Sequence, residues 1–314
     1  MGRVDDGIHA RRLGRVYLAL AGLTWVLIVF GATVRAHGAG LACPDWPYCF
    51  GSLLPRMDFR VLLEWGHRVV AAIASVLFLT ASWFAVRNPA TREAVRLPLL
   101  LAAIVLPAQI VLGGLTVLHL LASWSVTFHL VLGNTFCLLL LLVARRLLGI
   151  LEPARPAAPV ARALALVVAG ALLIQIVLGG LVSSNYAGLA CPDWPACRGS
   201  EWFPGFDGLV GLHLAHRLGG YLVAFAYLAL ALVTLREPLT GNLARIGLSL
   251  VLFQILIGVA NVLGRLPVEV TALHSAVATL VVLVTTMLAR AILSGPARAP
   301  EALGALSPPH ALRS

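Results

Sequence analysis

The sequence predicts an all-α integral membrane protein whose eight transmembrane helices form two pseudo-symmetric four-helix bundles. Three observations support this fold class. Of its 314 residues, 60% are hydrophobic and only 11% are charged, whereas about a quarter of a soluble domain is charged. Apolar stretches long enough to cross a bilayer, which takes roughly 20 residues, recur along the chain. A nine-residue sequence also occurs twice.

The apolar stretches set the predicted helices. They cover residues 16–36, 61–86, 97–118, 124–146, 161–183, 208–235, 243–263 and 269–292. The gaps between them are short, so no separate water-soluble domain is predicted. The N-terminus lacks the features of a cleavable signal, and we expect the first helix to act as the insertion signal.

The net charge of +10 reflects topology rather than a nucleic-acid partner. All 23 basic residues are Arg. Sixteen of them fall in the predicted tails and in the loops on one side, and seven fall on the other side. Cytoplasmic loops accumulate basic residues. We therefore predict a multi-pass protein of a bacterial cytoplasmic (inner) membrane, with both termini cytoplasmic.

The repeated sequence reveals an internal duplication. AGLACPDWP occupies residues 39–47 and again residues 187–195. We predict an N-terminal half at 1–148, a cytoplasmic linker at 149–160, a C-terminal half at 161–292 and a cytoplasmic tail at 293–314. Four helices in each half give both halves the same orientation in the bilayer. Both CPDWP loops are then expected on the outer face.

Four histidines recur in register in the two halves. They are His67 and His129 in the first half, and His216 and His274 in the second. Each lies near the outer end of a predicted helix, and ionisable groups inside a membrane are costly and usually functional. Two imidazoles at matched depth on facing helices suit the axial positions of a haem iron. Packing roles are the alternative, and zinc fits less well because two ligands leave its shell incomplete. His37 and His119, which have no counterpart in the repeat, are assigned to loops or the surface.

The two halves differ one helical turn before the first histidine of each pair. Glu64 precedes His67 at a spacing of three residues, and His213 precedes His216 at the same spacing. Residues at this spacing share a helix face, so Glu64 is predicted to face the same space as His67. A carboxylate there could take up a proton or stabilise a developing cation. An ion pair between Glu64 and Arg68 is the alternative.

Two cysteine pairs lie in the CPDWP loops, and three glutamines lie inside helices. Cys43 and Cys49 lie in the first outer loop, and Cys191 and Cys197 lie in the third outer loop. An oxidising compartment permits a disulfide in each loop, with a structural or a redox role; a zinc site of four thiolates is a weaker option. Gln109, Gln175 and Gln254 are assigned to helix packing.

The combination of these motifs resembles the bacterial haem A synthase family over nearly the whole chain. This resemblance implies oxidation of the C8 methyl group of haem O to a formyl group through hydroxylated intermediates. It implies that His216 and His274 bind a haem b that relays electrons, and that His67 and His129 face the haem O substrate. It makes Glu64 the catalytically important acid, Cys43 and Cys49 the functionally relevant pair, and the second pair mainly structural.

Other functions fit parts of the pattern. A di-haem b electron-transfer protein would use the histidines, but it would be expected to place haems near both membrane faces. A membrane thiol–disulfide oxidoreductase would use the cysteines and leave the histidines idle. A transporter with internal repeats would place polar groups at the midplane, where only the glutamines lie. Candidate partners are the lipid bilayer, haem O synthase and cytochrome oxidase assembly factors, and a homo-oligomer is left open by the sequence.

Overall fold

The computed structural model describes residues 2–150 and 157–294. Within these ranges the chain forms eight α-helices and no β-strand. They are α1 (Gly2–Ala36), α2 (Phe59–Arg87), α3 (Pro89–Leu118), α4 (Ser123–Leu147), α5 (Pro159–Ser184), α6 (Gly208–Val233), α7 (Pro238–Leu263) and α8 (Val268–Leu293). Half of the predicted linker (151–156) and nearly all of the predicted tail (295–314) lie outside the described residues.

Each predicted apolar stretch corresponds to one helix, but three helices begin at least five residues earlier than predicted. α1 begins at Gly2, α3 at Pro89 and α7 at Pro238, because hydropathy detects only the apolar part of a helix and misses polar first turns. The start of α3 has a local cause. The side chain of Asn88 accepts hydrogen bonds from the N–H groups of Ala90 (2.9 Å) and Thr91 (3.2 Å), as expected of an N-cap followed by proline.

The helices have the length and surface of membrane spans. All eight are long and apolar enough to cross a bilayer. Many large apolar side chains point outward, including Leu79, Phe225 and Leu256, which are 59%, 68% and 65% exposed. Because an outward apolar surface is stable in lipid and unfavourable in water, the prediction of a multi-pass membrane protein is confirmed.

Helix packing follows the sequence repeat. α1 contacts α2 and α4, and α3 contacts α4; in the same way α5 contacts α6 and α8, and α7 contacts α8. One buried apolar cluster is built from α1–α4 and a second from α5–α8. We call residues 2–148 the first repeat and residues 161–293 the second repeat.

The two repeats meet through α1, α4, α5 and α8. The indole N–H of Trp25 on α1 donates to the carbonyl of Ala276 on α8 at 3.0 Å. The Nε of Arg35, at the end of α1, donates to the hydroxyl of Ser183, at the end of α5, at 2.8 Å. This last contact brings the ends of the two helices that precede the CPDWP loops to the same end of the molecule.

That end of the molecule carries both cysteine loops. We call residues 37–58 the first cysteine loop and residues 185–207 the second cysteine loop. Each packs against the short turn between the last two helices of its own repeat: Gly40 lies against Leu121, and Gly188 lies against Leu266. Each of these turns has two successive non-glycine residues with positive φ. The repeat therefore extends to backbone conformation.

Candidate functional site

Each cysteine loop is closed on itself by a disulfide. The sulfur atoms of Cys43 and Cys49 are 1.99 Å apart, and those of Cys191 and Cys197 are 1.98 Å apart. Among the described residues, no group of three or more His, Cys, Asp and Glu side chains could hold a metal ion. The zinc alternative therefore has no ligand set here.

An aspartate organises the tip of each loop. Asp45 accepts hydrogen bonds from the N–H groups of Phe50 and Gly51, both at 2.7 Å, and Asp193 accepts one from Gly199 at 2.8 Å. The hydrogen bond from the Gly51 N–H is the main cause that lowers the pKa of Asp45 below its ordinary value. Desolvation raises the pKa by a smaller amount. The loop tip is therefore stabilised by the ionised form of Asp45.

An arginine from the following helix binds the carbonyl groups of each loop. Arg68 on α2 donates to the carbonyls of Asp45 (2.8 Å), Tyr48 (2.7 Å) and Cys43 (3.3 Å). Arg217 on α6 donates to the carbonyls of Cys191 (2.6 Å), Asp193 (2.9 Å) and Ala196 (3.3 Å). One guanidinium thus satisfies several loop carbonyls at once, which fixes the loop on its helix.

Glu64 and His213 occupy equivalent places in these two networks. Glu64 accepts from the Cys43 N–H (2.8 Å) and from Arg68 (2.6 Å). His213 lies with one ring nitrogen 3.2 Å from the Cys191 N–H and the other 3.2 Å from Arg217. The ion pair considered as the alternative role of Glu64 is therefore present. His213, whose role could not be assigned from the sequence, lies in the same loop-anchoring position.

The four repeated histidines lie at matching positions. His67 and His216 are each the ninth residue of their helix, and His129 and His274 are each the seventh. His67 and His129 lie close enough for their charges to interact, and so do His274 and His216. The four histidines therefore lie as one pair in each repeat, at the same helical positions.

Each of these imidazoles packs against a glycine of the preceding helix. A methyl group built on Gly31, Gly113 or Gly179 would lie 3.1 Å from Cε1 of His67, His129 or His216 respectively. The corresponding distance from Gly258 to His274 is 3.3 Å. The helix backbone thus forms one wall of each histidine site.

The four side chains are half-buried, and their rings form few hydrogen bonds. The Nδ1 atoms of His67, His129 and His274 are buried without a hydrogen-bond partner. Buried polar atoms without partners are rare, and imidazole nitrogen is a common ligand of haem iron. Two half-buried imidazoles with few hydrogen bonds, one from each of two helices, therefore have the donor chemistry that an axially ligated haem requires.

The glutamines pack between helices, as predicted, and their amide groups lie against the histidines. The amide of Gln175 donates to the His216 carbonyl at 2.8 Å, and that of Gln254 donates to the His274 carbonyl at 2.9 Å. Gln109 lies 3.4 Å from Nε2 of His129. The sequence spacing Gln-x-x-x-Gly recurs before three of the four histidines. It places the glutamine and the glycine on the same helix face, and it could have indicated that the glutamines contact the histidines.

The other predicted site features lie apart from the histidines. His37 contacts Phe59 and His119 contacts Trp124, each in an edge-on ring contact near the cysteine loops, in line with the loop or surface roles predicted for them. A cavity of about 360 Å³ lies between α4, α5 and α8, and none of the four paired histidines lines it.

Comparison with known proteins shows similarity over most of the chain. The family model described as Cytochrome oxidase assembly protein, COX15-CtaA, matches residues 14–62 and 54–286. A Heme A synthase of Shewanella oneidensis is 31% identical over 83% of this chain and 90% of its own length. A Heme A synthase of Symbiobacterium thermophilum is 30% identical over 86% and 92%.

A shorter similarity concerns a different enzyme. A Protoheme IX farnesyltransferase of Halobacterium salinarum is 35% identical over 38% of this chain and 26% of its own length. This match is partial, whereas the family model covers nearly all of the eight helices. The chain belongs to the COX15-CtaA family of cytochrome oxidase assembly proteins.

Proposed function

We propose that this protein is a haem A synthase, which oxidises the C8 methyl group of haem O to a formyl group through hydroxylated intermediates. The observation that carries the proposal is a pair of half-buried histidines, each packed on a glycine of the preceding helix, at the same helical register in both repeats and next to a disulfide-closed loop. The two relatives named Heme A synthase, which align with 83% and 86% of the chain, support it.

In this proposal the second repeat holds a haem b between His216 and His274. Both side chains are half-buried, they lie close enough for their charges to interact, and each rests on a glycine that leaves room for it. A haem b bound there supplies one-electron transfer. The protein holds the two imidazoles in place, and the surrounding apolar helices exclude water from the site.

The first repeat is proposed to bind haem O beside His67 and His129. Haem O carries a farnesyl chain and is soluble in lipid, so a site within the bilayer can receive it from the membrane. Converting a methyl to a formyl group removes electrons in steps, and a haem b held by His216 and His274 in the adjoining repeat would supply one-electron transfer. The repeats thus divide the work between substrate and electron relay.

Glu64 and the first cysteine loop are proposed to serve the substrate side. A carboxylate one turn from His67 can take up a proton or stabilise positive charge that develops on the substrate. Its two oxygens already bind Arg68 and the Cys43 N–H, so Glu64 acts from within this network. Cys43 and Cys49 are then the functionally relevant pair, and Cys191 and Cys197 are mainly structural.

The same proposal includes the location of the protein. We place the chain in the bacterial cytoplasmic membrane with both termini in the cytoplasm and the two cysteine loops outside, where disulfides persist. Haem O synthase is the proposed supplier of the substrate, and the partial match to a Protoheme IX farnesyltransferase supports a link between the two activities.

The test is expression in a host that supplies haem O but lacks haem A synthase. Extracted haems are separated by chromatography and identified by mass spectrometry. We expect haem A or its hydroxylated precursor, which differ in mass from haem O. Bound haem b with unmodified haem O would instead favour a di-haem electron carrier, and a protein that holds no haem at all would remove both functions.

A further inference from the structure

Gln175 is the one glutamine of the three that reaches both the ring and the backbone of its histidine. Its Nε2 lies 3.1 Å from Nδ1 of His216 and 2.8 Å from the His216 carbonyl. Its Oε1 is buried and has no hydrogen-bond partner. A buried amide oxygen without a partner is unusual, and here it belongs to the same amide group that touches the imidazole.

The amide occupies a space that the facing helix leaves open. A methyl group built on Gly219 would lie 2.3 Å from Oε1 of Gln175, and one on Gly220 would lie 3.5 Å from its Nε2. Two consecutive glycines, one turn after His216, therefore make room for this side chain between α5 and α6. Most larger residues at position 219 would displace it.

Ligation to iron changes what the imidazole needs from this amide. An imidazole that binds metal through Nε2 carries its proton on Nδ1, and that N–H is normally given to an acceptor that fixes the ring and raises its basicity as a ligand. The unpaired Oε1 of Gln175 is such an acceptor, and a rotation of the amide group that gives up the bond to the His216 carbonyl presents it to Nδ1.

We propose that Gln175 is a positioning residue for the haem b site: its Oε1 accepts the Nδ1–H of His216 when that histidine binds iron. The inference rests on the proposed haem b site. A stronger acceptor at Nδ1 makes the imidazole a better electron donor to iron, which favours the ferric state and lowers the reduction potential. Gln175 thereby helps to set the potential of the electron relay.

Gln254 provides a matched comparison within the same site. Its Nε2 donates to the His274 carbonyl at 2.9 Å, but Nδ1 of His274 has no partner. The Oε1 of Gln254 is buried without a partner, as in Gln175, but its amide makes no hydrogen-bond contact with the His274 ring, so removing it removes only a backbone contact of the second ligand. An effect on ring basicity is therefore expected from Gln175 and not from Gln254.

The experiment is redox titration of the haem b absorption bands in the purified full-length protein, with haem content measured in parallel. We expect Gln175→Leu to keep haem b and to shift the ferric–ferrous equilibrium about tenfold toward the ferrous state, which is about +59 mV for one electron. Gln254→Leu should leave the potential within a few millivolts of native, which would separate an effect on the ring from general loosening of the site.

Two further outcomes decide the proposal. Gln175→Glu restores an acceptor, so its potential should lie at or below the native value; this variant also decides the matter if Gln175→Leu does not retain haem. An unchanged potential in Gln175→Leu, or a Gln175→Glu potential as high as that of the leucine variant, would overturn the role of Gln175. Native protein that binds no haem b through His216 would instead refute the proposed function itself.

Discussion

The two cysteine loops share their anchoring but differ in one side chain. In both loops an aspartate holds the tip, a disulfide closes it and an arginine of the following helix binds its carbonyls. The N–H of the first cysteine, however, meets a carboxylate in one repeat and an imidazole in the other. Glu64 and His213 are both buried, at 5% and 4% exposure.

This difference separates what the loops need from what only the first loop has. A carboxylate accepts hydrogen bonds on both oxygens, whereas a neutral imidazole accepts on only one nitrogen. His213 can thus be a full acceptor for either the Cys191 N–H or Arg217, and not for both at once. Loop anchoring therefore does not require Glu64 in particular, and the negative charge beside His67 is the feature available for chemistry.

The largest expected effect separates the two histidine pairs. His216→Ala removes a proposed axial ligand, so the purified protein should lose its haem b. His67→Ala lies at the same helical register in the first repeat and should keep haem b while forming no haem A. Haem content by pyridine haemochrome assay, together with product analysis, measures both. Equal loss of haem b in both variants would break the proposed division between the repeats.

An exchange of the two anchors tests whether the charge at position 64 matters. Glu64→His copies the second repeat, so the loop should stay folded and haem b should be retained. We expect the rate of product formation to fall about 10²- to 10⁴-fold, the usual contribution of a general acid or base. His213→Glu is the reciprocal control and should retain activity. Full activity of Glu64→His would limit Glu64 to loop anchoring.

Removing each arginine anchor should reveal the difference between Glu64 and His213 as a difference in the free energy of unfolding. Arg68→Ala leaves the buried carboxylate of Glu64 without its counter-ion, and we expect a loss of about 3 kcal/mol in the free energy of unfolding. Arg217→Ala leaves only neutral groups, with an expected loss of about 1–2 kcal/mol. Denaturant unfolding in detergent measures both, with the exposed Arg56→Ala as control. Equal losses would mean that the charge adds nothing to the anchoring.

The smallest effect concerns acid pH at the tip of the first loop. Because the folded-state pKa of Asp45 is below its ordinary value of 3.8, its stabilising contribution is present above that value and disappears as the pH falls through the folded-state pKa. The amides of Phe50 and Gly51 should therefore lose protection from hydrogen exchange in strong acid. Asp45→Asn should abolish this pH dependence; a dependence that persists would assign it to another group.

The sequence was sufficient for features that depend on one helix at a time. Apolar length predicted the eight helices, and the repeat predicted the common register of His67 with His216. The early start of α3 was missed because it depends on the capping of Asn88 rather than on hydropathy. The pairing of each cysteine within its own loop was also accessible, since only a short segment separates the two partners.

Features that depend on contacts between helices could not be predicted in the same way. The glutamines were assigned to packing because their sequence spacing shows which face they share with a glycine, but not which residue of the next helix lies opposite. His213 had no interpretation because its partner, the Cys191 N–H, is a backbone group of a loop. Such contacts become visible only when the crossing of two helices fixes which groups meet.

The contact between Arg35 and Ser183 bears on how a duplicated chain diverges. The two residues stand four positions before the identical AGLACPDWP segments, so each is the counterpart of the other, and they touch where the two copies meet. Arginine at both positions would place two like charges next to each other. Serine at both positions would remove the guanidinium group that also lies over the Tyr186 ring. A symmetric assembly of two identical copies could not contain this arrangement, which requires two copies of the sequence that can mutate separately.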